Sequence, residues 1–202
     1  MTRLVLATHN PHKVVELRRI LADAALGHVE IVGVDAFPGL PDVAETGVTF
    51  AENALLKAHA VAAATGLPAV GDDSGLCVDV LGGSPGVFSA RWSGRHGDDL
   101  ANLELLLAQL SDVPDDRRGA HFACAAALAL PAGDERVAEG TLPGSVIRYP
   151  RGTNGFGYDP VFVPDGGTAT LAEIPAVDKD AISHRGRAFR ALVPTIAELL
   201  PA

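Results

Sequence analysis

Only two cysteines, one tryptophan and one methionine occur in the 202 residues, and aromatics make up 5% of the chain. Cys77 and Cys124 each stand alone in an apolar, strand-like run. That placement argues against a disulfide or a metal pair and reads as two core thiols in a reducing compartment. No run of eighteen apolar residues exists, so no membrane span is expected. The N-terminus enters a strand almost at once and lacks a signal-peptide pattern, so a cytoplasmic location is expected. Basic charge is also scarce: 16 Lys and Arg face 25 Asp and Glu, leaving a formal charge of −9. This argues against sequence-independent binding of nucleic acid or an anionic membrane, both of which need basic surface. The glycine-rich phosphate loops G-x-x-x-x-G-K-[ST] and G-x-G-x-x-G are absent, as are H-E-x-x-H, C-x-x-C and G-x-S-x-G. Metalloprotease and α/β-hydrolase readings are therefore weak, and any phosphate must be held by a different cradle.

Hydrophobic residues are plentiful, at 48% with much alanine, so the chain can bury a substantial core as one large domain or two small lobes. Leu4 to Ala7 is an apolar run of strand length, followed by Thr8-His9-Asn10-Pro11-His12-Lys13. Asn10 suits a helix N-cap, and Pro11 suits the first helical position. Val14, Leu17, Leu21 and Ala24 then recur at helical spacing. Free N–H groups, the helix dipole and Lys13 would converge there as an anion site, although an ordinary capped strand–helix turn is the plainer alternative.

Val29 to Val34 reads as a second strand, ended by Pro38-Gly39 and Pro41-Asp42. Thr49 and Glu52 form a capping-box pattern opening an alanine-rich helix that Gly66 should stop. Leu67–Gly71 and Leu76–Leu81 are expected as two strands joined by the polar turn Asp72-Asp73-Ser74-Gly75. A long Gly- and Ser-bearing connection, 82–97, precedes a helix over Asp98–Leu110. Arg118–Leu130 and Arg136–Ile147 read as a hairpin, and Val161–Val163 as a short strand after the glycine-rich loop 151–160. Ser183 is expected to cap a closing helix with Phe189, Leu192, Val193, Ile196 and Leu200 inward, kinked at Pro194. No repeat or linker is visible, and the element order predicts an α/β fold with a mixed sheet flanked by helices.

Adjacent carboxylates at Asp72 and Asp73 repel unless cations or donors neutralise them; Mg²⁺ with phosphate is one answer, and an Asp-rich surface turn is the other. Lys57 is either a snorkelling surface lysine or a further cation, and Glu45 either a metal ligand or solvated. Phe156 and Tyr158, alternating with glycine, could offer a ring face and bare N–H groups to a base, or form a tight turn with buried rings. Ser183-His184-Arg185-Gly186-Arg187 offers donors at a helix start.

Taken in chain order, Thr8-x-Asn10-x-x-Lys13, Thr49-Phe50-x-Glu52-Asn53-Ala54 with Lys57, Asp72-Asp73-Ser74-Gly75-Leu76, Gly82-Gly83-x-Pro85-Gly86, Ser89-Ala90-Arg91, Gly155-Phe156-Gly157-Tyr158-Asp159-Pro160 and Ser183-His184-Arg185-Gly186 closely resemble the inosine triphosphate pyrophosphatase family. The resemblance spans essentially the whole chain, from Leu4 to the final helix. It implies a single domain over residues 1–202, with a long mixed sheet, two lobes, a central nucleotide-binding cleft and a homodimeric assembly. It implies Mg²⁺-dependent cleavage of ITP, dITP or XTP between the α- and β-phosphates, giving the monophosphate and pyrophosphate and clearing these purines from the nucleotide pool. By the same resemblance, Thr8, His9, Asn10, Pro11, His12 and Lys13 form the phosphate-gripping segment, with no side-chain role for His9 or His12, and Lys57 joins them. Asp73 would be the catalytic carboxylate and a metal ligand, with Asp72 and Glu45 as further metal ligands and Ser74 touching substrate. Phe156, Gly157, Tyr158, Asp159, Lys179, His184 and Arg185 would hold the base and nearby groups. One departure stands out: Ala44-Glu45 occupies a place where many members carry paired acids, which puts Glu45's role in question. A septum-formation-inhibitor type of pyrophosphatase shares the opening turn, but Asp-Asp-Ser-Gly and Ser-His-Arg favour the purine enzymes. A nucleotide-binding regulator without catalysis is the rival from another class, and the intact acidic pair argues against it.

Overall fold

A computed structural model describes residues 1–40 and 43–201. The Pro41-Asp42 turn signal lies outside the described residues. Six strands form one sheet in the order β2-β1-β3-β4-β5-β6: β1 Thr2–Leu6, β2 Val29–Gly33, β3 Ala69–Val78, β4 Gly119–Ala129, β5 Glu135–Val146 and β6 Phe162–Pro164. β1 pairs in parallel with β2 and with β3, whereas β5 and β6 are antiparallel, so the sheet is mixed as expected. The helices are α1 Pro11–Asp23, α2 Phe50–Thr65, α3 Asp99–Gln109, α4 Ala176–Ile182 and α5 His184–Leu199. By internal contacts the chain divides into two compact units. The first comprises Met1–Asp73, Cys124–Gly140 and Arg185–Ala202, and the second Ser74–Ala123 and Thr141–His184.

In the first unit, strand alternation sorts the core onto two faces. Leu4 and Leu6 of β1, Val70 of β3 and Leu128 of β4 pack with Leu17 and Leu21 of α1 and Phe189 and Leu192 of α5. Val5, Ala69 and Ala127, one residue out of phase, pack with Ala54, Ala58 and Val61 of α2. Alanine on both sides lets α2 lie close to the sheet. The second unit is built around Leu76 and Val78 of β3, Leu103 and Leu106 of α3, Phe122 of β4 and Phe162 of β6. Both cysteines are buried and unbridged, and burial raises their thiol pKa values above the ordinary range. Among the described residues no helix is long and apolar enough to cross a membrane.

Local signals in the chain explain the element ends. Asn10 accepts the His12 N–H at 2.9 Å as N-cap of α1, with Pro11 in its first turn. Thr49 accepts the Glu52 N–H at 3.1 Å, and Glu52 returns a bond to the Val48 N–H at 2.6 Å, one residue ahead of the usual capping box. Gly66 ends α2 in the left-handed region, φ +68°.

Two expectations need correction, and one helix needs adding. β3 is a single ten-residue strand running through Asp72-Asp73-Ser74-Gly75, not two strands around a polar turn. Each aspartate meets cations on its own side of the strand, so carboxylates that would force a turn in isolation are neutralised within the sheet. The sequence reading missed the short helix α4; Ser183 is its C-cap and also directly precedes α5, the place expected of it. Ala24 is exposed at the end of α1, where Ile20 and Leu21 complete the buried face instead.

Candidate active site

Register brings the first set of polar groups together. Leu6 pairs with Val70, and the Ala7 N–H donates to the Val70 carbonyl at 2.7 Å. Two residues farther on, β3 reaches Asp72 while the first strand gives way to the Thr8–Lys13 turn. Ligand sites in parallel sheets form where strands end in this way, because helix N-termini gather there. In the turn, the Thr8 hydroxyl oxygen accepts the Asn10 N–H at 3.1 Å. Lys13 Nζ donates to Asp72 Oδ2 at 2.7 Å, and Arg185 Nε from the start of α5 donates to the same oxygen at 3.2 Å. Asp72 is 1% exposed, and its Oδ1 has no hydrogen-bond partner among the described residues. Burial opposes its charge, yet Lys13, Arg185 and Lys57 hold the carboxyl well below the usual aspartate range.

Asp73 takes the opposite face of the strand, against α2. Asn53 Nδ2 donates to its Oδ2 at 2.9 Å, and Lys57 Nζ lies 3.6 Å from its Oδ1. Lys57 also donates to Glu45 Oε1 at 2.9 Å. A solvated surface lysine is thus not what the structure shows. Burial alone would favour the neutral amine, but Asp73, Asp72 and Glu45 outweigh it and raise the Lys57 pKa. Asn53 is fully buried; its Oδ1 accepts the Gly47 N–H at 2.8 Å, tying the preceding loop to the helix. Gly71 makes this approach possible, since a Cβ there would collide with the Ala54 carbonyl oxygen and come within 2.9 Å of the Ala58 nitrogen. Sequence reasoning quoted Asn53 in a motif but gave it no role, although it lies four residues from Lys57 and so on the same helix face.

Within the second unit, Asp159 is buried and accepts the Phe156 N–H at 2.8 Å. Lys179 forms an ion pair with the same carboxylate oxygen, and its ammonium stands 5.1 Å from the centre of the Phe156 ring. Gly155, at φ +73°, has no room for a side chain because Asp159 and Lys179 occupy that space. The two aromatics part company: Phe156 is 59% exposed, whereas Tyr158 is buried and its hydroxyl donates to the Ser89 carbonyl at 2.9 Å. The loop N–H groups expected to be bare are engaged. Phe156 N–H is bonded to Asp159, and Gly157 N–H to Asp99 Oδ2 at 2.9 Å. Asp99 also escaped the sequence reading, because nothing local links it to position 157. His184 is buried and stacked on Phe122, with centroids 4.9 Å apart and planes 12° from parallel.

Two histidines of the expected phosphate segment are exposed. His9 Nδ1 contacts Asp35 at 2.8 Å, with both side chains largely exposed, and His12 is exposed on the first turn of α1. Ser74 is half-buried within β3.

Among the described residues no three His, Cys, Asp or Glu side chains gather as a metal-binding group. Asp73 and Glu45 nevertheless direct carboxylate oxygens at one cationic point, the Lys57 ammonium. Two such carboxylates suit Mg²⁺, which keeps several waters and shares substrate phosphates rather than demanding an all-protein cage.

Comparison with known proteins finds relatives over the whole chain. The model of the Ham1 family matches residues 4–195. A dITP/XTP pyrophosphatase of Streptomyces avermitilis is 72% identical, covering 99% of this chain and all of the relative. One from Streptomyces coelicolor is 70% identical with the same coverage. Among solved structures, a HAM1 protein from Coxiella burnetii is 39% identical with a TM-score of 0.90, covering 98% of this chain and all of that one. A nucleoside-triphosphatase, dITP/XTP pyrophosphatase, from Mycobacterium abscessus is 54% identical with a TM-score of 0.81, covering 96% of this chain and all of that one. With the mixed sheet, the motif order and full-length similarity in agreement, the chain belongs to the Ham1 family, as its resemblance to the inosine triphosphate pyrophosphatases implied.

Proposed function

We propose that this protein hydrolyses ITP, dITP and XTP to the nucleoside monophosphate and pyrophosphate, with Mg²⁺, as a cytoplasmic homodimer that clears these purines from the nucleotide pool. The observation that carries the reading is the pair of aspartates on β3, each facing cations that could also serve a polyphosphate. High identity to enzymes named dITP/XTP pyrophosphatase supports the same conclusion.

In this mechanism Thr8, Asn10 and Lys13 bind phosphate oxygens at the N-terminus of α1, and Lys57 adds charge from α2. Asp73 and Glu45 would hold the metal, and Asp72 Oδ1 is the atom left for a further contact. Bound Mg²⁺ would neutralise phosphate charge and polarise the α-phosphoryl group. Asp73, fixed by Asn53, orients a water in line with the α-phosphorus and accepts its proton as pyrophosphate leaves. Lys57 keeps its proton across the physiological range because three carboxylates favour the ammonium form.

Ser74 touches substrate, and Phe156 supplies a stacking face for the purine. With the loop N–H groups engaged by carboxylates, Lys179 is the donor best placed beside that ring to meet a 6-oxo group, and His184 the second. A 6-amino group would meet such donors as another donor, leaving them unpaired, a mismatch that can give ~10⁴-fold discrimination. A nucleotide panel assayed with and without Mg²⁺, with pyrophosphate separated from orthophosphate, tests the proposal. Mg²⁺-dependent pyrophosphate release from ITP, dITP and XTP, with ATP much slower, is expected. Orthophosphate as the product, or equal kcat/KM for ATP and ITP, would refute it.

A further inference from the structure

Phe156 and Gly157 form the tip of the loop that would hold the base, and their backbone is costly to fix. Gly155 at φ +73° and Gly157 at φ +59° flank Phe156, and glycine gives up more conformational freedom on ordering than any other residue. Phe156 is mostly exposed, so packing offsets little of that cost. The loop is anchored on both sides of its tip. Before it, the Thr153 and Asn154 N–H groups donate to the Ala172 carbonyl at 3.1 and 3.0 Å. After it, the Tyr158 hydroxyl donates to the Ser89 carbonyl, and Asp159 accepts the Phe156 N–H. Gly157 is held from outside the loop: its N–H donates at 2.9 Å to Oδ2 of Asp99, in the first turn of α3. All of these residues belong to the second compact unit. We infer that Asp99 is a positioning residue for base binding: by accepting the Gly157 N–H, it fixes the loop tip in the conformation that offers Phe156 to a purine.

Helix α3 is well built for this task. Asp98 caps it by accepting the Ala101 N–H at 3.3 Å, so capping does not consume Asp99. A negative charge in the first turn suits the helix dipole, and a carboxylate binds an N–H more strongly than a neutral acceptor does. Asn102 lies three residues from Asp99, on the same face of the helix, and is 1% exposed. Its Oδ1 accepts the Ser93 N–H and hydroxyl at 2.7 and 2.8 Å, and its Nδ2 donates to the Ala90 carbonyl at 3.2 Å. Ser89, next to Ala90, is tied to β3 through the Leu76 N–H at 2.9 Å, and its carbonyl holds Tyr158. One face of α3 therefore steadies the tip directly through Asp99 and the segment behind Tyr158 through Asn102. Asp99 need not touch the substrate, and its effect is confined to the part of the ligand that the loop holds.

The inference rests on the purine-hydrolysing function proposed above. Failure of the unaltered protein to hydrolyse ITP would remove both, whereas normal turnover that ignores position 99 would remove this inference alone. The test combines steady-state kinetics on ITP and dITP with calorimetric binding of inorganic pyrophosphate, which carries no base, all in Mg²⁺ buffer on the full chain. In Asp99→Ala, KM for ITP and for dITP should rise about tenfold while kcat stays within about twofold, the pattern of lost uniform binding. The pyrophosphate Kd should stay within about twofold of the original, and thermal unfolding should change little because Asp99 is exposed. Asp99→Asn keeps an oxygen in place and should recover KM to within about threefold of the original. Asp99→Leu, close to Asp in size and a good helix former, replaces the alanine variant if that proves unstable. An unchanged KM would overturn the inference, as would a pyrophosphate Kd that weakens by the same factor, which marks a general disturbance. A loss confined to ITP would make Asp99 a ligand of the ribose 2′-hydroxyl instead. Equal losses in the alanine and asparagine variants would show that the bond to Gly157 is not what matters.

Discussion

Asp72 and Asp73 are neighbours in sequence and differ in almost everything else. Asp72 faces α1 and α5, is buried and is gripped through one oxygen by two cations. Asp73 faces α2, retains some exposure, and meets one amide and one ammonium. Strand pleating is the whole cause, because consecutive side chains leave a strand on opposite faces. The difference separates two tasks that adjacent carboxylates seemed bound to share. The buried one is suited to set charge and position, and the accessible one to hold a metal and handle a proton.

Substitutions can break that contrast, beginning with the largest expected effect. Asp73→Asn keeps the size of the side chain and the Asn53 contact but removes the base, so ITP turnover should fall about 10³-fold or more. Circular dichroism and thermal unfolding should stay close to those of the unaltered protein. Near-normal turnover would move the catalytic role away from Asp73.

Asp72→Asn should instead cost mainly stability. Removing the anion leaves Lys13 and Arg185 facing each other in a buried space, a loss of about 3 kcal/mol at pH 7. Because its folded pKa is depressed, the Asp72 carboxylate contributes stability above the ordinary aspartate pKa. That contribution is lost as pH falls below about 4, towards the folded value. Urea unfolding at pH 7 and pH 3 should therefore show the gap between the two proteins narrowing in acid. A gap that widened would contradict the assigned direction.

Gly71→Ala probes the α2 side alone. The added methyl meets helix backbone, not a flexible side chain, so α2 must shift at a cost of about 2 kcal/mol. Asn53 and Lys57 shift with it, so kcat should drop while pyrophosphate binding at the Lys13 side is largely retained. Equal losses in both readouts would mean that the two faces are not independent. The mildest expected change is Glu45→Gln, which should raise the Mg²⁺ concentration for half-maximal rate about tenfold. Titration of ITP turnover against Mg²⁺ would show it, and an unchanged requirement would free Glu45 from metal binding.

Much of the fold was legible because its signals are local. Asn10 and Pro11 start α1, Thr49 and Gly66 bracket α2, and Asp98 caps α3, each by a bond or dihedral preference reaching only a few residues. The short α4 was missed because it opens after Pro175 with no side-chain N-cap and buries none of its residues. The site was legible as a set of residue types in order, but not as contacts. The contacts of Lys57 were not legible because its carboxylate partners lie 12 and 16 positions away, and only Gly71's missing side chain brings α2 close enough to join them. The contact of Arg185 with Asp72 was not legible because no local rule pairs residues 113 positions apart.

Local chemistry in the chain was thus enough to determine the helix caps, the strand-then-helix opening, the mixed architecture and the family. Which face of β3 each aspartate takes, which cations meet it, and which loop N–H groups remain open were decided only in three dimensions. A capping bond spans three or four residues, whereas neutralising a buried carboxylate draws on whichever cations the packed helices bring to it.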